Sequence, residues 1–376
     1  MQSLIPMGLC GLGHYVPEKR LTNAELEKMV DTSDDWIVQR TGIRERRIAG
    51  PGEVTSKMGI LAAQRALADA KMSPEELDLV ICCTVTGDQV FPATACRIGK
   101  DIGAKRAGGF DIAAACSGFV FGSQVAAGFI RTGVYKNVLV VGAEILSRIV
   151  DYSDRNTCVL FGDGAGAAIY TPLDRAGRGE FLGGSIQMEG ASEDVLAVPG
   201  GGSRFPASHE SVDQRMHFMK MGGTKVFRFA VRVFAELVQR TVDQYGLDEI
   251  GIIIPHQVNQ RIIESAMDSL SLPMEMVFSK VVELVFESIP GAVVQAIFLL
   301  SGGWTTAAVV SIAISCLSTA FTATMLAYRD DLDTNAANRR TNSELHGCAP
   351  ARVHERSSLN ASVWAGTCRT RRRSAL

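Results

Sequence analysis

Five short, predominantly apolar runs mark the first 175 residues: 7–13 (MGLCGLG), 79–85 (LVICCTV), 108–114 (GGFDIAA), 137–145 (NVLVVGAEI) and 166–171 (GAAIYT). Runs of this length, without polar alternation, suit strands buried on both faces. Between them lie stretches with helical spacing, at 23–31, 54–71, 91–103 and 117–132. Strands alternating with helices predict an α/β fold, its sheet parallel or mixed and covered on both sides. A second series starts at 181–188 (FLGGSIQM) and continues through a long helix over 222–245, a strand at 251–255 (GIIIP) and a helix over 258–270. It stops early. The pattern therefore divides the chain into a first half, 1–175, a partial second half, 176–280, an apolar segment, 281–328, and a tail, 329–376.

Composition changes where the second series ends. Lys280 is the last lysine, and from Ser288 to Tyr328 there is no charged residue or histidine. A bilayer core needs about 20 apolar residues as helix, so this stretch has the length of one span, or of two short ones broken at Gly302-Gly303. A buried helix pair is the alternative, and any membrane contact is expected only through 288–328. The tail is rich in Arg, Asn, Ser and Thr without periodicity, which reads as disorder. A net charge of −2 gives no global field to recruit nucleic acid. Nine scattered cysteines contain no CxxC pair for zinc or redox work, so a reducing compartment is expected. The first residues have neither a signal peptide's basic start and apolar core nor an Arg/Ser-rich transit composition.

Two residues stand where chemistry is placed in such folds. Cys116 follows the run 108–114 and opens the helical stretch 117–132, among Ala113, Ala114, Ala115, Ser117 and Gly118. A thiol at a helix N-terminus is favoured as thiolate by the dipole and the unpaired N–H groups. A small apolar residue in a crowded turn is the other reading, since free cysteine is among the most buried residue types. His256 follows the strand GIIIP, and Asn259 begins the next helix. The C-terminal end of a strand is where open α/β sheets collect their sites; a helix-capping histidine is the alternative.

Taken together, DIAAACSGF (111–119), IPHQVNQR (254–261), DDWIVQRTGIRERR (34–47) and LFGDGAGAAI (160–169) resemble the 3-oxoacyl-[acyl-carrier-protein] synthase III family of the thiolase-like superfamily. The likeness runs from residue 7 to about 278. It implies a duplicated thiolase-like αβαβα five-layer fold, its second half truncated here, and a homodimer in the cytoplasm, or in a plastid stroma if a transit peptide has been lost. It implies an acyltransferase: an acyl-CoA, often acetyl-CoA, acylates a cysteine, and malonyl-carrier protein is decarboxylated and condensed onto that acyl group. No metal or redox cofactor is expected.

The matching positions make Cys116 the nucleophile and His256 the group that stabilises the decarboxylation transition state. Trp36, Arg40, Thr41, Arg155, Gly223, Phe227 and Asn259 match positions that hold CoA, and Phe91 matches a residue lent across the dimer to the partner's acyl pocket. Arg228 and Arg232, four apart on one helix face, and Arg261 form a basic patch suited to an acidic carrier protein. Polyketide-starter condensation on the same fold, and a non-catalytic synthase-like body held at a membrane, are the alternatives.

The family pattern fails beyond the second series. Its third catalytic residue, an asparagine in a GNTSAAS loop about thirty residues after the histidine, has no counterpart in KVVELVFESIPGAVV (280–294). Its closing Gly-rich strand is only imitated by SGGWTTAAVV (301–310). These departures predict an uncovered sheet edge, poor solubility and weak activity, with a junction to unrelated sequence near residue 280.

Overall fold

The computed structural model describes residues 3–272, apart from 178, 191–194, 248–249 and 251, together with the backbone of 311–314 and 320–327. All of these fall in one compact unit, Met1–Asp333. The tail 329–376 and the junction near 280 lie outside the described residues.

Along the chain the elements run β1 (Met7–Tyr15), β2 (Arg20–Thr22), α1 (Asn23–Leu26), α2 (Asp34–Thr41), β3 (Glu45–Arg47), α3 (Thr55–Ala70), β4 (Leu79–Cys83), α4 (Thr94–Ile102) and β5 (Gly108–Ile112). Next come α5 (Gly118–Arg131), β6 (Val138–Ile145), α6 (Arg155–Cys158), β7 (Asp163–Pro172), α7 (Leu173–Ala176), β8 (Glu180–Met188), β9 (Leu196–Ala197) and α8 (His209–Asp213). They are followed by β10 (Lys220–Met221), α9 (Gly223–Tyr245), β11 (Ile254–Pro255), α10 (Gln260–Leu270), β12 (Ser311–Ile314) and β13 (Ala320–Ala327). The helix expected over 23–31 is a single turn, closed by a capping box between Thr22 and Glu25.

Nine strands join in the order β11-β12-β13-β8-β1-β7-β6-β4-β5. Read outward from the β1–β8 seam, the two sides repeat one design. On one side β1 is antiparallel to β7, β7 antiparallel to β6, and β6 and β5 are both parallel to β4. On the other, β8 is antiparallel to β13, β13 antiparallel to β12, and β12 parallel to β11. The duplication is thus written in strand order and polarity, with four strands among the described residues of the second half where the first has five.

The central strands are continuous apolar runs because both faces are covered. Val80 and Cys82 of β4 pack with Met58 and Ala62 of α3 and Ile98 of α4. Ile81 and Cys83 point the other way, toward Ala126 and Ile130 of α5. Burying each such aliphatic side chain stabilises the fold by roughly 1.5–3 kcal/mol. Helix α5 lies close to the sheet: a Cβ on Gly118 would come within 2.9 Å of Cys83 Cβ, and one on Gly122 within 2.6 Å of Cys83 Sγ. The same helix also packs against β8 and β13, so it is shared by the two halves.

The uncharged segment corrects one expectation. Two pieces of 288–328 are strands: β13 pairs with β8 from Ala320↔Met188 to Ala327↔Glu180, and β12 pairs with β11. β8 is therefore covered by β13, and among the described residues the second half ends at β11. The physical reason is composition: VVSIAIS and FTATML are rich in β-branched residues, which fit a pleated surface better than a helix interior. Among the described residues no helix is long and apolar enough to cross a membrane.

Candidate active site

Cys116 is delivered by the β5-to-α5 connection. β5 ends at Ile112, and a tight 3-10 turn, Ala115–Ser117, leads into α5 at Gly118. Ala115 has φ +44°, a left-handed conformation that bulky and β-branched side chains resist. The small residues around the cysteine are thus required by the turn as well as by access. The thiol faces a cavity of ≈ 260 Å³ whose walls include Cys83, Val85, Phe119, Glu144, Phe161 and Met219.

The electrostatics of this cavity differ from the expectation of a ready thiolate. Burial, with the nearby Glu144 adding to it, pushes the Cys116 thiol up to about 12. Desolvation of a thiolate in an apolar enclosure outweighs the favourable helix terminus, so the resting group is a thiol. Glu144 at the end of β6 is itself pushed up to about 7 by burial, against the opposing effect of hydrogen bonds from Thr86, Val85 and Thr84. Sequence reasoning passed over this acid. Its signal was present all the same: a lone carboxylate inside the otherwise apolar run 137–145.

His256 follows β11 and is buried, 4% exposed. Burial lowers its pKa to about 4, so the ring is neutral at neutral pH. Its Nδ1 has no hydrogen-bond partner among the described residues. It does not cap α10; Asn259 does, its side-chain oxygen accepting the Arg261 N–H at 2.9 Å. Cys116 packs against the apolar cluster that contains Ile253, Val258 and Ile262, the residues bracketing His256 in sequence.

A second cavity of ≈ 150 Å³ is lined by Trp36, Arg40, Thr41, Arg155, Gly223, Phe227 and Asn259, with Asn156, Val159, Leu160, Met221, Val226, Val258 and Ile262. All seven residues expected at a CoA site thus converge from α2, α6, α9 and the start of α10. The Arg40 and Arg155 guanidinium carbons lie 4.5 and 5.1 Å from the Trp36 ring centre, within cation–π range. Ser33 holds this ring-bearing helix by accepting the Trp36 N–H at 3.1 Å. The two cavities back onto the same segments: Leu160 and Met221 face this one, Phe161 and Met219 face the Cys116 cavity.

Of the basic patch, Arg228, Arg232 and Arg261 are all exposed. Arg232 is engaged by Glu189 at 2.8 Å and Glu236 at 3.1 Å. Phe91 stands on the loop after β4, 81% exposed beside Val90 at 95%.

A duplicated, thiolase-like α/β fold with a cysteine at the head of a buried central helix defines a class of acyltransferases. The description 3-oxoacyl-[acyl-carrier-protein (ACP)] synthase III matches residues 110–190. The beta-ketoacyl-[acyl-carrier-protein] synthase III of Desulfitobacterium hafniense is 52% identical over 271 residues, 72% of this chain and 81% of the relative. The crystal structure of 3-oxoacyl-[acyl-carrier-protein] synthase III from Aquifex aeolicus superposes with a TM-score of 0.74 at 37% identity, covering 86% of this chain and 100% of that one. The priming beta-ketosynthase of the R1128 polyketide pathway superposes with a TM-score of 0.76 at 30% identity, over 87% and 97% of the two chains. The chain belongs to the beta-ketoacyl-[acyl-carrier-protein] synthase III family.

Proposed function

We propose that this chain condenses an acyl-CoA, acetyl-CoA foremost, with malonyl-carrier protein, and that Cys116 carries the acyl group between the two steps. The observation that supports this most is the convergence of Trp36, Arg40, Thr41, Arg155, Gly223, Phe227 and Asn259 on one cavity that shares its walls with the cavity of Cys116. The indole and guanidinium groups suit an adenine, and arginines suit phosphate.

In the first step the Cys116 proton passes to a base and its sulfur attacks the thioester carbon. The carbon–sulfur bond to CoA breaks, and the CoA thiolate takes up a proton on leaving. The neutral His256 ring is suited to a hydrogen bond that strengthens as charge grows on an enolate oxygen. In the second step the malonyl carbon–carboxyl bond breaks, CO2 leaves, and the resulting carbanion forms a bond to the acyl carbon. The electron pair returns to Cys116 sulfur, which is reprotonated. None of these steps calls for a metal or redox group. Free cysteines, six of them among the described residues, suit a reducing, cytoplasmic setting.

Single-turnover transfer of label from radiolabelled acetyl-CoA tests the assignment. Wild-type protein should take up label on the peptide bearing Cys116, and Cys116→Ala should lose it. Label retained by Cys116→Ala would falsify the nucleophile assignment. The missing family asparagine should leave this transfer intact while slowing condensation by about 10²- to 10³-fold, the usual cost of one lost oxyanion donor.

Arg228 and Arg261 fit docking of the acidic carrier protein, with Arg232 already turned to Glu189 and Glu236. The exposed Val90 and Phe91 fit a homodimer in which Phe91 enters the partner's pocket. Polyketide-starter condensation is the second reading, favoured by the likeness to the R1128 priming enzyme. Profiling the acyl chains accepted separates the two.

A further inference from the structure

We propose that Glu144 is a positioning residue for acyl transfer: one carboxylate forms a wall of the Cys116 cavity and also anchors the loop that presents Val90 and Phe91. The proposal rests on the reading of Cys116 as the acyl acceptor. Glu144 is 6% exposed and lines the cavity with Cys116, Cys83 and Val85. Its Oε1 accepts the Val85 N–H at 2.7 Å, and its Oε2 accepts the hydroxyls of Thr84, at 3.3 Å, and of Thr86. Each hydroxyl is held in turn by the backbone. Thr84 Oγ1 accepts the Thr86 N–H at 3.1 Å, and Thr86 Oγ1 accepts the Ile145 N–H at 2.8 Å.

From there the loop is fastened link by link to its exposed tip. Thr55 Oγ1 donates to the Thr86 carbonyl at 2.5 Å, and Asp88 accepts the Ser56 N–H at 2.9 Å and its hydroxyl at 2.6 Å. Arg97 donates to Gln89 at 2.6 Å, and Gln89 donates to the Phe91 carbonyl at 2.6 Å. Val90 and Phe91 protrude at the end of this chain of bonds. A charged carboxylate at its root accepts three donors. A protonated one must donate instead, which reverses at least one hydroxyl.

The same atoms act on the nucleophile. An ionised Glu144 opposes ionisation of Cys116, and of Cys82 and Cys83 on β4. The other titratable groups around it are Asp88 on the loop, Asp111 on β5 and Asp163 at the start of β7, paired with Ile145. Asp111 accepts the N–H groups of Thr94 and Ala95, and Asp163 those of Ala49 and Ser147. Burial pushes Glu144 up to about 7, so its charge turns on around neutral pH. A loop held in its charged arrangement and a thiol held back from ionising are two effects of one proton.

Alkylation by iodoacetamide, followed on peptides by mass spectrometry, reads the Cys116 thiolate directly, with the exposed Cys96 as internal reference. Glu144→Gln keeps the shape and cannot ionise. The Cys116/Cys96 rate ratio of Glu144→Gln should match wild type near pH 6 and exceed it about tenfold near pH 9, one pKa unit of lost repulsion. Thr86→Val removes a donor that favours the charged form, so the Glu144-dependent inflection in its own Cys116/Cys96 ratio against pH should lie about one unit above that of wild type. If Glu144→Gln melts without cooperativity, the Thr86→Val shift carries the test. Equal ratios at all pH values, or an unmoved midpoint in Thr86→Val, overturn the proposal. Loss of label in Cys116→Ala together with a flat ratio refutes this inference and leaves the acyl-acceptor reading standing. Label retained in Cys116→Ala refutes that reading itself.

Discussion

The first half of the chain buries an acid where the second half buries a base. Glu144 closes β6 on one side of the seam, and His256 follows β11 on the other. Burial moves them in opposite directions, the carboxyl up to about 7 and the imidazole down to about 4, because desolvation penalises whichever form carries charge. The surroundings differ as well. Glu144 is met by three donors, whereas His256 Nδ1 has no hydrogen-bond partner among the described residues. The acid is wired into its half, while the base is held by packing. A group fixed by hydrogen bonds transmits its protonation state to what it touches; one enclosed by apolar atoms is kept neutral and available to substrate.

The largest break in this comparison should come from His256→Ala. Condensation should fall by about 10³-fold, in the range lost with a transition-state hydrogen bond, with label transfer to Cys116 changed far less. A parallel loss of both steps would assign His256 to the thiol rather than to decarboxylation.

A smaller effect lies in stability against pH. The folded pKa of His256 is below the unfolded value of about 6.5, so its contribution is lost as pH falls from about 6.5 toward 4. The folded pKa of Glu144 is above its unfolded value, so its contribution is present at low pH and is lost as pH rises from about 4.5 toward 7. Between them the two slopes oppose, each at most about 1.4 kcal/mol per pH unit. Urea melts from pH 4.5 to 6.5 should therefore show Glu144→Gln gaining stability with pH relative to wild type, and His256→Gln losing it. Identical slopes in all three proteins would remove the distinction between the two sites.

The smallest effect is expected at the cavity that draws on both halves. Trp36→Ala removes the ring that Arg40 and Arg155 share. The KM for acyl-CoA should rise about tenfold with kcat little changed, as for a lost cation–π contact and its buried area. A fall in kcat alone would place Trp36 outside the binding site.

Much of the fold was legible in the sequence, because two-sided burial forces strands such as 79–83 and 138–143 to be continuous and apolar, and α5 must follow the small residues around Cys116. The run 288–328 was not legible in the same way. An uncharged stretch satisfies a membrane helix and a buried strand alike, and only pairing with β8 and β11 decided between them for 311–314 and 320–327. At the site, residue types announced Cys116, His256 and the Trp36–Arg40 pair. Glu144 was hidden by its apolar neighbours; Arg232 was legible as part of a basic patch, but its engagement by Glu189, 43 positions away, was not.

The sequence by itself determined the alternation of strands and helices, the duplicated series and the identities of the reactive side chains, since these follow from periodicity and chemistry along the chain. Only the tertiary structure decided their charge. A thiol at a helix terminus reads as a thiolate until its enclosure is known, and burial pushes Cys116 up to about 12 beside Glu144. Desolvation is a property of the space around a group, and that space is built by residues far apart in sequence.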